Sequence, residues 1–566
     1  MDRITKNLLE GFLKQFEIKP ESESIDFEKF CNYSVIKNEF NNEFDIGDIS
    51  TGNNQGIDGL GIIVRNQFID TTQEVEDIIK DAKLLEVVFV FIQSKTSTKF
   101  EGSEIGNFIF SIKDFFSEKP KLAMTEEMKE KFAITQILFK HFSLMTKGNP
   151  LCKLYYITAG KWTDDQSLNA VIDTNVKELK DLGLFEDVVF IPCDAQKIQK
   201  LYRKTSEEVT TEFSFDEMVT LPKINGIEEA YLGIIKFEEY EKIITDENGN
   251  MQNIFYDNVR DYLGENPVNK KIDQTLKDGK FDIFSILNNG ITIVADKKNS
   301  SKGKLFSISN YQVVNGCQTS HTLFNNKELE GMGKITIPVK LIITQNEDIK
   351  SNITIATNSQ TEIKEEQLVA FSDFQKNLEQ YYKSFKDDNR LFYERRTGQY
   401  NTEQGVTKTK IVTIKNQIKT FASMFLNVPH LASGYYGKLY KDVKDQIFKK
   451  DHKYNSYYLS SLGIYKIEKF TRTGSIDRKY NKARYHILML FRMANQLNQL
   501  PEFNSKSMED YCDTLINILY DENSALLAFN KAIKVIDDSG IDINNRKLLY
   551  QKNTTDLLIS EYNKNK

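Results

Sequence analysis

The chain has 566 residues, 40% of them hydrophobic, enough as a prior for about three or four domains with sizeable cores. Its 75 Lys and Arg face 81 Asp and Glu, a formal charge of −6, so it is not a uniformly basic nucleic-acid coat and any polyanion contact must come from local patches. No apolar run approaches ~18 residues, which argues against a membrane span, and five scattered cysteines argue against a zinc ribbon or disulfide framework and for a reducing cytoplasm.

In chain order, 3.6-residue periodicity predicts an amphipathic helix at 5–16 and a second helix at 27–40. The first residues carry no apolar signal region. Gly56-Ile57-Asp58-Gly59 sets a carboxylate at a glycine-flanked turn entering a strand at 60–64. A helix or hairpin fills 70–84, and the apolar run 85–92 reads as a strand buried on both faces, ending in Gln93-Ser94-Lys95. Strand alternation puts Gln93 and Lys95 on one face and Ser94 on the other. Helices at 106–116, 125–146 and 165–182 and strands at 153–158 and 188–191 complete an α/β unit, with a polar linker expected at 204–216.

A second unit follows, with strands at 231–235 and around Gly290, Tyr311 and Ile337, and a helix near 253–262. From about Pro429 the pattern turns helical, most clearly at 483–496 and 508–520. The expected domains are 1–210, 211–428 and a mostly helical 429–566. The overall class is mixed α/β (α+β).

Two constellations carry chemistry. The first is Asp58 with Gln93 and Lys95. A carboxylate, an amide oxygen and an ammonium at adjacent strand ends suit a hard divalent cation and a water beside it. The bland alternative is a capping Asp and two solvated strand-end residues. Asp58 followed by Gln93-x-Lys95 resembles the restriction-endonuclease-like (PD-(D/E)xK) nuclease fold, in the Mrr-like variant where Gln replaces the second acid. The sequence departs from that pattern in a longer gap between Asp58 and Gln93 and in lacking Pro before Asp58. The resemblance implies Mg²⁺ or Mn²⁺ held by Asp58, Gln93, the Ser94 backbone carbonyl and Glu28. It casts Lys95 as the residue that orients the attacking water, and double-stranded DNA as the substrate.

The second constellation is a set of amide-rich segments at 255–264, 288–292, 313–320, 356–361 and 392–396. Asn-Gly pairs permit tight turns with exposed N–H groups that can cradle phosphate, and Asn and Gln amides can read bases. Asn289, Asn315, Gly316 and Gln318 are therefore candidate ligand or partner residues; as plain turns they would only satisfy their own backbone. In order and spacing the set resembles the abortive infection phage resistance (AIPR) family of bacterial defence proteins, over about 230–396. An N-terminal stretch at 91–97 (FIQSKTS) matches the same family. The resemblance implies an antiphage, metal-dependent DNA endonuclease. A non-catalytic sensor or nucleic-acid binder with a degenerate nuclease fold, and a nucleotide binder or hydrolase through 315–318, are the alternatives. A homo-oligomer, a phage-derived trigger and neighbouring defence proteins are the compatible partners; no membrane is. Finally, the tyrosine- and lysine-rich stretch 435–486 reads either as a nucleic-acid track or as a solvated charged face.

Overall fold

The computed structural model describes residues 1–564 apart from 41–43, 53, 55, 83, 147, 247–248, 250, 253, 256–266, 359–371, 397, 401–402, 404, 435 and 496–498. Its contacts define two compact units. One joins Met1–Thr205 to Asp373–Lys566, and the other is Ser206–Ser372.

The N-terminal segment of the first unit begins with two helices, α1 (Arg3–Gln15) and α2 (Glu23–Glu39). Asp2 caps α1 and Ser22 caps α2, each accepting from backbone N–H groups of the first turn. The strands are β1 (Gly59–Val64), β2 (Gln67–Ile69), β3 (Val87–Lys95), β4 (Leu151–Thr158) and β5 (Asp187–Cys193), in the order β2-β1-β3-β4-β5. β1 is antiparallel to β2 and β3, while β3, β4 and β5 run parallel. The helices α3 (Thr72–Asp81), α4 (Gly102–Phe115), α5 (Glu126–Lys140), α6 (Gln166–Lys180) and α7 (Ala195–Lys204) connect them.

β3 explains why the sheet is covered twice. Val90 and Ile92 pack with Phe27, Phe30 and Ile36 of α2 on one face. Phe89 and Phe91 pack with Phe108 and Ile112 of α4 on the other. A strand segment apolar at every position, as from Val87 to Ile92, can be buried only in this way.

The middle unit has six strands: β6 (Thr210–Ser214), β7 (Glu217–Thr220), β8 (Glu229–Lys236), β9 (Ile291–Lys302), β10 (Leu305–Asn315) and β11 (Thr336–Ile343). Their order is β6-β10-β9-β11-β8-β7, with β9 and β11 parallel and the other neighbours antiparallel. The helices α8 (Phe237–Ile244), α9 (Pro267–Lys277), α10 (Phe284–Leu287) and α11 (Cys317–Asn325) supply Tyr240, Ile272, Phe284 and Leu323 to the core on one face. The segment expected as a linker contains β6, which pairs with β10 as an edge strand through Phe213 and Phe306. Its apolar alternation is only two residues deep, too short for a periodicity to register. The helix expected near 253–262 lies largely outside the described residues.

The rest of the first unit is mostly helical, with a short parallel pair, β12 (Phe392–Glu394) and β13 (Ile411–Thr413). The longest helices are Tyr454–Thr473 and Glu522–Asp538. The sequence reading ran the middle domain to 428; by contacts the middle unit ends at Ser372, and 373–428 packs with the helical region. Partly buried polar links join this region to the N-terminal segment. Tyr465 donates to Glu17 at 2.8 Å, Thr409 donates to Glu17 at 2.6 Å, and Arg546 bonds Asp70.

The basic stretch 435–486 belongs to this packing. Tyr440, Tyr457, Tyr458, Tyr465, Tyr480 and Tyr485 are buried and present no stacking platform. Lys453 pairs with Glu509 at 2.9 Å, Lys469 with Glu522 at 2.5 Å and Arg484 with Glu468 at 3.4 Å. A row of tyrosines and cations reads the same in sequence whether it faces solvent or core. Glu509 and Glu522, from outside the stretch, take up Lys453 and Lys469, while Lys438, Lys441, Lys449 and Lys450 remain exposed. No helix among the described residues is long and apolar enough to cross a membrane.

Candidate metal centre in the N-terminal sheet

Asp58 sits one residue before β1, and its N–H donates to the Ile92 carbonyl at 2.9 Å. Antiparallel pairing of Gly59 with Ile92 then sets its side chain against the end of β3. Gln93 Nε2 donates to Asp58 Oδ1 at 3.0 Å. The Ser94 N–H donates to Oδ2 at 2.7 Å, and the Ser94 hydroxyl to the same oxygen at 2.9 Å. Strand alternation placed Ser94 on the far face from Gln93, yet both side chains reach Asp58. The carboxylate lies past the end of β1, where it can straddle the two faces. Ser94 meets it through two donors.

Lys95 pairs with Glu104, from the first turn of α4, at 3.1 Å. Its charge still helps hold Asp58 ionised. Burial raises the Asp58 carboxyl above the ordinary range; the Ser94 donors, Lys95 and Gln93 oppose the shift. Glu28, half-buried on α2, is pushed up to about 8, first by burial and then by the negative charge of Asp58. The structure thus brings Asp58, Gln93, Ser94, Lys95 and Glu28 to one end of the sheet.

One residue joins them that the sequence reading missed. Asn32 lies one helical turn beyond Glu28 on the same face of α2. Its Nδ2 donates to the Asp58 carbonyl at 3.4 Å. A side chain at Gly59 would collide with this amide, so the glycine makes room for it. Two amides therefore engage Asp58 through their nitrogens, and both of their oxygens, Gln93 Oε1 and Asn32 Oδ1, are buried without a hydrogen-bond partner. The sequence signal was available in the i, i+4 spacing of Glu28 and Asn32.

A buried acceptor without a donor costs about 1–3 kcal/mol. Amide and carboxylate oxygens are the donor type a hard divalent cation takes. Among the described residues no group of three or more His, Cys, Asp or Glu is placed to hold a metal. The acids here are two and the remaining donors are amides, which suits a Mg²⁺-like ion that keeps several of its waters.

The second set of candidates lies in the middle unit. Asn289, Asn315, Gly316 and Gln318 line one cavity there. The segment 256–264 and residues 359–361 lie outside the described residues. The last motif falls in the other unit, where Arg395 forms a buried pair with Glu379 at 2.5 Å.

No curated protein and no solved structure gives a significant match to this chain. A family model described as AIPR protein matches residues 255–546. That span is more than half of the chain and continues through the helical region, beyond the stretch on which the sequence resemblance rested. The chain belongs to the AIPR family.

Proposed function

We propose that this chain is a metal-dependent endonuclease of abortive-infection defence, acting on double-stranded DNA from the Asp58 site. The family ties it to defence against phage. The observation that carries the nuclease reading is the pair of orphaned buried oxygens, Gln93 Oε1 and Asn32 Oδ1, on amides anchored to one buried carboxylate. The mixed sheet supports it as well, with an antiparallel β1–β3 pair continued by parallel β4 and β5 and covered by α2 and α4.

Asp58, Gln93, Glu28 and Asn32 would hold Mg²⁺ or Mn²⁺, with the Ser94 carbonyl as the remaining candidate ligand. When bound, the ion supplies charge stabilisation at the scissile phosphate and lowers the pKa of its water. The protein's own groups do the rest. Ser94 fixes the Asp58 carboxylate through its N–H and hydroxyl. Lys95, held by Glu104, presents an ammonium to the phosphate oxygens and orients the incoming water. Glu28 gives up its proton for a cation to enter.

A second reading, a non-catalytic sensor or nucleic-acid binder, draws on one observation: Asp58 already accepts three hydrogen bonds and Lys95 already has a carboxylate partner. Titration calorimetry with Mn²⁺, alongside plasmid cleavage in Mg²⁺ or Mn²⁺, separates the two. The nuclease reading requires saturable metal binding and cleavage, both lost in Asp58→Ala. Metal-independent DNA binding without cleavage would establish the second.

A further inference from the structure

The middle unit holds a cavity of about 500 Å³ that the nuclease reading does not use. Its position follows from strand register. β9 starts at Ile291, β10 ends at Asn315, and Asn315 pairs with Thr292. The turns Asn289-Gly290 and Asn315-Gly316 therefore lie side by side at one end of the sheet. Gly290 has φ 76° and Gly316 φ 101°, in the left-handed region that favours glycine. A Cβ at Gly290 would come within 2.8 Å of the Pro338 carbonyl oxygen, and one at Gly316 within 2.9 Å of Ile291 Cγ1. Close packing and backbone conformation both demand glycine, so the two turns are fixed features of the wall. The opposite wall is α9 and the residues after it. Asn326, just past α11, donates to Asp273 of α9 at 2.9 Å and ties the two walls together.

The lining combines polar side chains with apolar surface. It includes the amides of Gln274, Asn288, Asn289, Asn315 and Gln318, of which Gln274 already donates to Asp278 at 2.6 Å and Asn288 to the Phe284 carbonyl at 2.9 Å. Two cations, Lys271 and Lys280, face one carboxylate, Asp278, which pairs with Lys280 at 2.9 Å. The wall is thus net positive, and Lys271 brings the charge that Asp278 does not balance. Ile272 and Leu287 add an apolar surface. The positive end of α11 opens on the same space from the Gly316 cap. Cationic charge beside converging amides, with apolar area for a flat ring, matches a ligand carrying both a phosphate and a base.

We propose that this cavity is a binding site for a nucleoside phosphate, with the phosphate toward Lys271 and the base among the amides of the two Asn-Gly turns. The ligand is either a free nucleotide or the phosphorylated end of a nucleic-acid strand, which share this chemistry. The proposal stands apart from the Asp58 reading, because no residue is common to both sites.

The test uses the full chain without divalent metal, so that the Asp58 site stays unloaded. Equilibrium binding is measured for AMP, GMP, inorganic phosphate and a 5′-phosphorylated oligothymidylate. The expected result is saturable binding of a mononucleotide or of the phosphorylated strand, with inorganic phosphate weaker by about tenfold or more. Lys271→Ala, and separately the pair Asn289→Ala with Asn315→Ala, should each weaken that binding about tenfold. Asp58→Ala should leave it unchanged. Binding of the strand alone identifies a strand end as the ligand, and binding of the mononucleotide alone identifies a free nucleotide. Lys271 is exposed, so its variant keeps the fold, and equal melting temperatures verify this. If no probe binds, or if the variants with unchanged melting bind like the unaltered protein, the proposal is overturned.

Discussion

Gln93 donates its amide N–H to Asp58 Oδ1 at 3.0 Å, while its own Oε1 is buried with no donor. The amide joins the two Ser94 donors on Asp58 and leaves its own acceptor without a donor. Gln93→Glu replaces that donor with a second carboxylate. Without metal the two acids repel, so the melting temperature should fall, by about 1 °C for each kcal/mol lost in a chain of this length. With Mn²⁺ present the order should reverse, and affinity should rise about tenfold over the unaltered chain. Calorimetric scans with and without Mn²⁺ check both halves. Equal melting in both conditions would show that Gln93 faces no cation.

Glu28 makes the site pH-dependent. Its carboxyl is raised from the ordinary 4.5 to about 8, chiefly by burial. A raised folded value means the folded chain holds the proton more tightly than the unfolded one. Its contribution to stability is therefore complete below about pH 4.5 and lost as pH rises through 8. Metal-free protein should lose stability across this window, and Glu28→Gln should lose less. A cation must displace the same proton, so Mn²⁺ affinity should climb by up to about tenfold per pH unit toward 8. In Glu28→Gln the slope should flatten. An unchanged slope would remove Glu28 from the ligand set.

Asn32 separates function from stability. Its buried Oδ1 has no partner, and its Nδ2 makes only a long 3.4 Å bond. Asn32→Ala removes both, so stability should change by no more than about 1 kcal/mol. Mn²⁺ affinity should nevertheless weaken about five- to tenfold. A lower melting temperature with unchanged affinity would make Asn32 a packing residue.

Arg546 should matter for the joining of the N-terminal and C-terminal segments. It bonds Asp70 and lies 3.8 Å from Asp48, while Lys131 donates to the Asp48 carbonyl at 2.6 Å. Arg546→Met leaves Lys131, 3.9 Å from Asp70, as the remaining counter-charge for the two carboxylates. Losing one partner of a buried pair costs about 3–5 kcal/mol. The low end, about 3 kcal/mol, applies here because Arg546, Asp48 and Asp70 keep 22%, 20% and 17% of their side-chain surface exposed. Urea denaturation should show the loss as a lower midpoint, and an unchanged midpoint would refute it.

Much of this was legible in the sequence, and what was not has physical causes. The run 85–92 announced a doubly covered strand because every position from Val87 to Ile92 is apolar, and its end placed Gln93 opposite the turn at Asp58. The i, i+4 spacing of Glu28 and Asn32 was visible, but a polar residue on a helix looks the same whether solvated or buried. The Glu104 partner of Lys95 was hidden because it comes from a separate helix. Arg546 was hidden for a stronger reason: its partners Asp48 and Asp70 lie more than 470 residues earlier. Of the second candidate set, the glycine turns were readable from composition alone. Their meeting at one cavity depended on the register of β9 against β10, which no local pattern encodes.

The central claim is that Asp58 anchors a cation used to cut DNA. Its most direct test is cleavage of supercoiled plasmid by purified protein in Mg²⁺, in Mn²⁺ and in a chelator, alongside Asp58→Ala of equal melting temperature. The account predicts nicked and linear products with either metal, none in the chelator, and none from the variant. Cleavage by the folded Asp58→Ala chain at the unaltered rate, or no cleavage by the unaltered chain in either metal, would contradict it.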